Sequence, residues 1–256
     1  MNESKMDRIW GVVYPIGMYF VVMNVVMFLC NMAVKTTDQN YVFQQMIATV
    51  VTLPFVYSFY RKDAVGTVQD TKKDILMTVL LAVGTMAVGM VVNNLFSFTT
   101  IKEQSQSYQE LSNAFYGSTL LPEILATCIL TPILEELLYR GIVYQRLREW
   151  LGVWPSVLVS ALIFGGMHMN LVQFVYAGCL GLLLALCVQW GGLKCAILAH
   201  MLTNLISVLR CETGIFGFME GSMTRQIVVT LVLAGMAVGC FLFVEFGILK
   251  TKCKKE

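Results

Sequence analysis

Long stretches of this chain carry no formal charge. Residues 9–34, 39–60, 75–101, 150–193 and 226–244 contain no Asp, Glu, Lys or Arg. A bilayer span needs about 20 mostly apolar residues, so each run can cross a membrane and 150–193 can cross twice. Backbone groups in hydrocarbon must bond within the chain, which leaves helices or a closed barrel. The runs lack the period-two alternation of barrel strands, so helices remain. Eight are expected, over roughly 10–33, 41–59, 75–97, 119–145, 151–168, 171–190, 194–209 and 226–248. The composition agrees: 13% of the residues are charged, against about 25% in soluble domains. The expected fold is all-α, a polytopic membrane protein whose polar core lies in helices four to seven.

The most polar stretch, 99–118, separates three leading helices from five later ones. No repeat or soluble domain is evident, so 1–256 reads as a single membrane domain: an N-terminal three-helix part (1–98), a core (119–209) and a last span (226–248). Lys and Arg concentrate on the cytoplasmic side of short loops. With the N-terminus inside, fourteen of the 18 fall on the inner side, including Lys72, Lys73, Arg146, Lys194, Lys254 and Lys255; Lys35, Lys102, Arg210 and Arg225 fall outside. Both termini are then cytoplasmic, in a multi-pass protein of the cell membrane. The short chain without organelle signals suits a bacterium. A net charge of +2 without a basic stripe gives no footing for nucleic acid. Membrane lipids are the expected surroundings. None of the eight cysteines forms a CxxC pair, and they read as small apolar side chains.

A charged side chain at mid-bilayer costs about 2.5–3.5 kcal/mol and is a functional-site hypothesis by default. Helix four carries Glu135, Glu136, Tyr139 and Arg140; helix five carries Phe164 and His168; helix seven carries His200 and Asn204. His168 and His200 are the only histidines. Residues four apart share a helical face, which pairs Glu136 with Arg140, Phe164 with His168, and His200 with Asn204. Glu135 points about 100° away from Glu136. Glu136 would thus be held by Arg140 while Glu135 faces a reaction space. Tyr139, one turn from Glu135, faces either that space or the helix surroundings. Pro132, inside helix four, leaves a carbonyl free one turn earlier and favours a bend. Glu123 and Glu245, near helix ends, read as interface residues. Lys194 and Arg140 set the site in the inner half with a cytoplasmic opening, whereas His168, ending helix five, is drawn toward the outer face.

Glu135-Glu136-Leu137-Leu138-Tyr139-Arg140-Gly141 resembles the EExxxR signature of the CPBP family, the CAAX proteases and bacteriocin-processing membrane proteins. Phe164 to His168 resembles its FxxxH, and His200 to Asn204 its HxxxN/D. The three occur in the family's order across 119–209. The resemblance implies an all-helical intramembrane endopeptidase acting on a peptide precursor or a lipidated protein, with the Glu pair and histidines activating water, the Asn at the oxyanion, and no essential metal. On chemical grounds, Glu135 assisted by His168 would take the proton from water, and His200 with Asn204 would bind the oxyanion. A divalent ion on Glu135, His168 and His200 is the alternative, although the spacing is neither HExxH nor Glu-x-x-His. The rival readings are a non-catalytic immunity or scaffold protein, and a proton-coupled transporter. The motif set occurs once, without the paired halves of transporters.

Overall fold

A computed structural model describes residues 4–64, 75–217 and 221–253. Lys72, Lys73, Lys254 and Lys255, counted above on the inner side, lie outside the described residues. The helices, in chain order, are α1 (Lys5–Ala33), α2 (Asp38–Ala64), α3 (Ile75–Ser97), α4 (Ile101–Gln104), α5 (Gln106–Phe115), α6 (Leu120–Leu151), α7 (Val153–Gly166), α8 (Leu171–Gly191), α9 (Leu193–Thr213) and α10 (Met223–Cys253). No strand occurs among the described residues. The chain is an all-α, multi-pass membrane protein.

The expected helices all form, but they do not all span. Among the described residues, six (α1, α2, α3, α8, α9 and α10) are long and apolar enough to cross a membrane. α5 and α6 join at a 113° bend and pass that test only together, so that the number rises to seven if the bent pair is one span. α7, expected over 151–168, has 14 residues. That is about 21 Å at 1.5 Å per residue, short of a hydrocarbon core of about 30 Å. Its start is set by Gly152, whose φ of +80° stops α6; Gly192, at φ +78°, divides α8 from α9 in the same way. Both take a backbone conformation in which a Cβ would clash.

α3 packs against α8, α9 and α10, and α7 runs back along α8. α1 lies on α2, and α2 lies on α6. Small side chains at the α8–α9 contact (Ala185, Ala196, Ala199) let these helices approach closely. A second core surrounds α6, with Leu134, Leu138, Ile142, Phe164 and Ala177. Much of the apolar surface of α1 and α10 is exposed, as lipid-facing helices require. Arg146 ties α1 and α2 to the end of α6. It forms two bonds to the Asp63 carboxylate, at 2.7 and 2.9 Å, and donates to the Gly11 carbonyl.

α6 is not a uniform α-helix. It passes through π turns at Ile124–Leu130 and Tyr139–Val143, which bracket an α segment at Thr131–Leu138. Each π turn adds a residue and rotates the side chains that follow, a change often met at functional sites. Thr131 N–H donates to the Ala126 carbonyl, five residues back. The next bond in that register would run from residue 132 to the Thr127 carbonyl, but Pro132 has no N–H. The carbonyl freed by Pro132 is thus Thr127's. The sharp bend lies instead between α5 and α6.

Candidate active site

Glu135 and Glu136 sit on the α segment between the two π turns, and both meet His200 on α9. His200 Nδ1 lies 2.9 Å from Glu136 Oε1, and its Nε2 lies 3.8 Å from Glu135 Oε2. The acids are otherwise placed differently. Glu136 is fully buried and its Oε1 lies 3.2 Å from Arg140 Nη1, also fully buried. That contact is an ion pair without hydrogen-bond alignment, because Nη1 has no hydrogen-bonded partner. Arg140 is held further by the Gly181 carbonyl, 3.1 Å from Nη2, and by the Phe164 ring, 4.3 Å below its guanidinium carbon. Glu135 lines a cavity of about 670 Å³ that also takes in His168, His200 and Asn204. Glu136 and Arg140 do not border it. The 100° offset along α6 separates a fixed anion from a group facing space.

Phe164 is a hub of rings. It meets His168 edge-on at 5.1 Å and 89°, His200 at 5.9 Å and Tyr139 at 5.0 Å. Tyr139 faces neither the cavity nor lipid. It is buried between Phe164 and Tyr19 on α1, and can act on the site only by packing behind Phe164.

The histidine tautomers follow from their partners. His168 Nδ1 lies 2.9 Å from the Phe164 carbonyl. A carbonyl only accepts, so Nδ1 carries the proton, leaving Nε2 to accept from the cavity. Met169, next in the chain, has φ +58°, a left-handed conformation that is costly away from glycine and recurs beside functional groups. Asn170 caps α8 by accepting from the Gln173 N–H at 2.9 Å. Together they pin the end of α7 on which His168 stands. Asn204, one turn beyond His200, donates through Nδ2 to the Thr127 carbonyl at 2.7 Å. That is the carbonyl left open by Pro132. The second N–H of this amide remains for a ligand.

The cavity runs away from the Arg148 and Lys194 ends of α6 and α9. Its lining continues through Asn93, Lys102, Tyr108, Ser112, Tyr116 and Arg210, at the face formed by α4, α5 and the end of α9. The opening expected near Lys194 therefore lies at the opposite end. α7 is short, so His168 is reached from this face without a full crossing, which removes the conflict over its depth. Glu123, read above as an interface residue, is fully buried; Glu245 is exposed. Among the described residues no three His, Cys, Asp or Glu side chains are grouped to hold a metal ion. Sequence reasoning missed four groups: the Thr127 carbonyl, the Gly181 carbonyl, and the cations Lys102 and Arg210. Only the first had a signal, its spacing from Pro132.

Residues 117–206 match the family model described as type II CAAX prenyl endopeptidase Rce1-like. The match bears out the resemblance to CPBP-family proteases. It contains Glu135, Glu136, Arg140, Phe164, His168, His200 and Asn204, and excludes Lys102 and Arg210. The "Putative membrane peptidase YdiL" of Bacillus subtilis (strain 168) is 22% identical over 213 residues, covering 79% of this chain and 85% of that protein. No solved structure matches significantly. At the level of family, these comparisons support a membrane protease.

Proposed function

We propose that this chain is an intramembrane endopeptidase that hydrolyses a membrane-associated peptide or protein with water activated by Glu135. The observation that carries this reading is the division of the acid pair: Glu135 borders the cavity beside His168, while Glu136 is held out of it by Arg140. In the cavity Glu135 accepts a proton from water as the oxygen attacks the scissile carbonyl, and His168 Nε2 accepts that water's second hydrogen bond. Such general-base help is typically worth about 10²–10⁴-fold. The free N–H of Asn204 donates to the oxyanion. His200 already gives its Nδ1 proton to Glu136, so it donates to the oxyanion through Nε2 only as imidazolium. That second proton can then pass to the leaving amine as the C–N bond breaks. Every group the reaction needs is supplied without a metal ion.

The charge count favours cytoplasmic termini; α7 and α8, packed along each other, then make one excursion that leaves and returns at the inner face between Arg148 and Lys194, which keeps the crossings even, and the cavity mouth faces the outer side. A peptide or membrane-anchored segment exposed there is the substrate class this orientation favours. The test is comparative peptidomics on cells expressing wild type or Glu135→Gln at matched membrane levels. New peptide termini confined to wild type are expected, and they persist in membranes treated with a chelator. Identical termini in both strains would overturn the proteolytic reading; loss on chelation, restored by a divalent ion, would overturn the metal-free route.

A further inference from the structure

A threonine inside a helix can return its hydroxyl to the carbonyl four residues back. Thr52, Thr127, Thr203, Thr213 and Thr230 all do so here, at 2.5–2.8 Å. Thr131 does not. Its acceptor would be the Thr127 carbonyl, which the Asn204 amide already holds at 2.7 Å. The Thr131 hydroxyl oxygen is buried and has no hydrogen-bond partner in the protein, and Thr131 borders the cavity. Among the described residues the lining has one other buried oxygen of this kind, Gln45 Oε1, and an amide oxygen only accepts. Thr131 alone combines a buried site on the cavity with a hydroxyl free to donate. Its place is set by two neighbours. It opens the α segment Thr131–Leu138, and Glu135 follows one turn later on the same face, about 6 Å along the axis. The side chain of a helical threonine also lies beside the carbonyl four residues back, and Asn204 Nδ2 sits on that carbonyl. The hydroxyl and the second N–H of Asn204 therefore flank one region of the cavity, next to the acid that activates water.

We propose that the Thr131 hydroxyl is a catalytic group, donating to the oxyanion together with the second N–H of Asn204. This rests on the proteolytic reading above. As the water oxygen bonds to the scissile carbon, its proton passes to Glu135 and the carbonyl π pair moves onto oxygen. Thr131 O–H and Asn204 N–H both donate to that oxygen as its charge grows. Collapse returns the pair and breaks the C–N bond, the amine leaves with the His200 proton, and Glu135 restores that proton to His200. The hydroxyl is neutral, so it serves in either protonation state of His200. Asn204 acts twice on this account: it donates to the oxyanion, and by occupying the Thr127 carbonyl it keeps the Thr131 hydroxyl from bonding within its own helix.

The experiment uses purified full-length protein and a degenerate library of synthetic peptides, with cuts mapped by mass spectrometry and Glu135→Gln as the blank. Steady-state rates are then read on the peptide that wild type cuts fastest. Thr131→Val removes the hydroxyl at matched shape, and Thr131→Ser keeps it. In Thr131→Val, kcat should fall about 10²–10³-fold, the usual loss for one oxyanion donor, with KM nearly unchanged. Thr131→Ser should retain most of the wild-type kcat. The melting temperature of Thr131→Val should match wild type, because the hydroxyl bonds nothing in the protein. Wild-type kcat in Thr131→Val, a loss carried by KM alone, or Thr131→Ser as slow as Thr131→Val overturns the oxyanion role while the protease stands. A fall in kcat that comes with a lower melting temperature assigns Thr131 to packing and overturns it equally. No cutting above the blank removes both the role and the proteolytic reading.

Discussion

Arg140→Met tests how the buried charges hold the site. Arg140 and Glu136 are each fully buried, 3.2 Å apart, with Gly181 and Phe164 as the other partners of the guanidinium. Removing one member of a buried pair leaves an unpaired charge and costs about 3–5 kcal/mol. The Met side chain keeps much of the packing on Phe164 but leaves Glu136 with His200 alone. At about 2–4 °C per kcal/mol for a chain of this size, the melting temperature should fall by about 6–20 °C. Glu136→Gln combined with Arg140→Met removes both charges while Gln still accepts from His200 Nδ1. Replacing both members of a buried pair is often near neutral, so the double variant should recover at least half of the loss. Melting can be followed in detergent with a thiol-reactive dye, because Cys128, Cys187 and Cys195 are buried and become reactive on unfolding. A single variant melting within about 2 °C of wild type, or a double variant no more stable than Arg140→Met, would refute the reasoning.

Three further outcomes follow from the geometry. Asn204→Ala removes both the oxyanion donor and the partner of the Thr127 carbonyl; turnover should fall by about 10²–10³-fold, and a change in KM alone would argue against the oxyanion role. Pro132→Ala supplies an N–H that competes for the Thr127 carbonyl and releases Asn204, so turnover should fall about 10–100-fold through misplacement while the melting temperature holds or rises; unchanged turnover would refute the link. Cys211 is exposed and lines the cavity mouth, so a membrane-impermeant maleimide added to intact cells should label it, and labelling only after lysis would reverse the proposed orientation.

The membrane character and the positions of the helices were legible because hydrocarbon imposes an apolar length on any helix that crosses it. Glu136 with Arg140 and Phe164 with His168 were legible because spacing of four survives any packing. The failures have equally local causes. Charge-free sequence from 150 to 193 hides Gly152, whose positive φ delays α7 and leaves it too short to cross. Hydropathy does not separate a buried ring from one facing lipid or the cavity, so the sequence left the direction of Tyr139 open. The end of the site that opens depended on helices converging from distant positions: the Asn93–Lys102 and Asn94–Arg210 contacts join residues that no local pattern connects.

The first π turn of α6 also reaches the site on α9. In an uninterrupted α-helix Pro132 would only remove a hydrogen bond. In the π register the exposed acceptor is Thr127's carbonyl, and Asn204 takes it. The helix defect on α6 thereby orients the amide on α9, in the same turn that brings His200 between the carboxylates. Glu136, fixed by Arg140, dictates the proton on His200 Nδ1; His200 then presents Nε2 toward Glu135. The chain of cause runs from a proline and a buried arginine, neither of which borders the cavity, to the orientation of the two groups that do. On this account Glu136→Gln weakens the site through the imidazole and Glu135→Gln through the water, so Glu136→Gln should retain more turnover than Glu135→Gln. Equal losses would mean that both carboxylates act on the water directly.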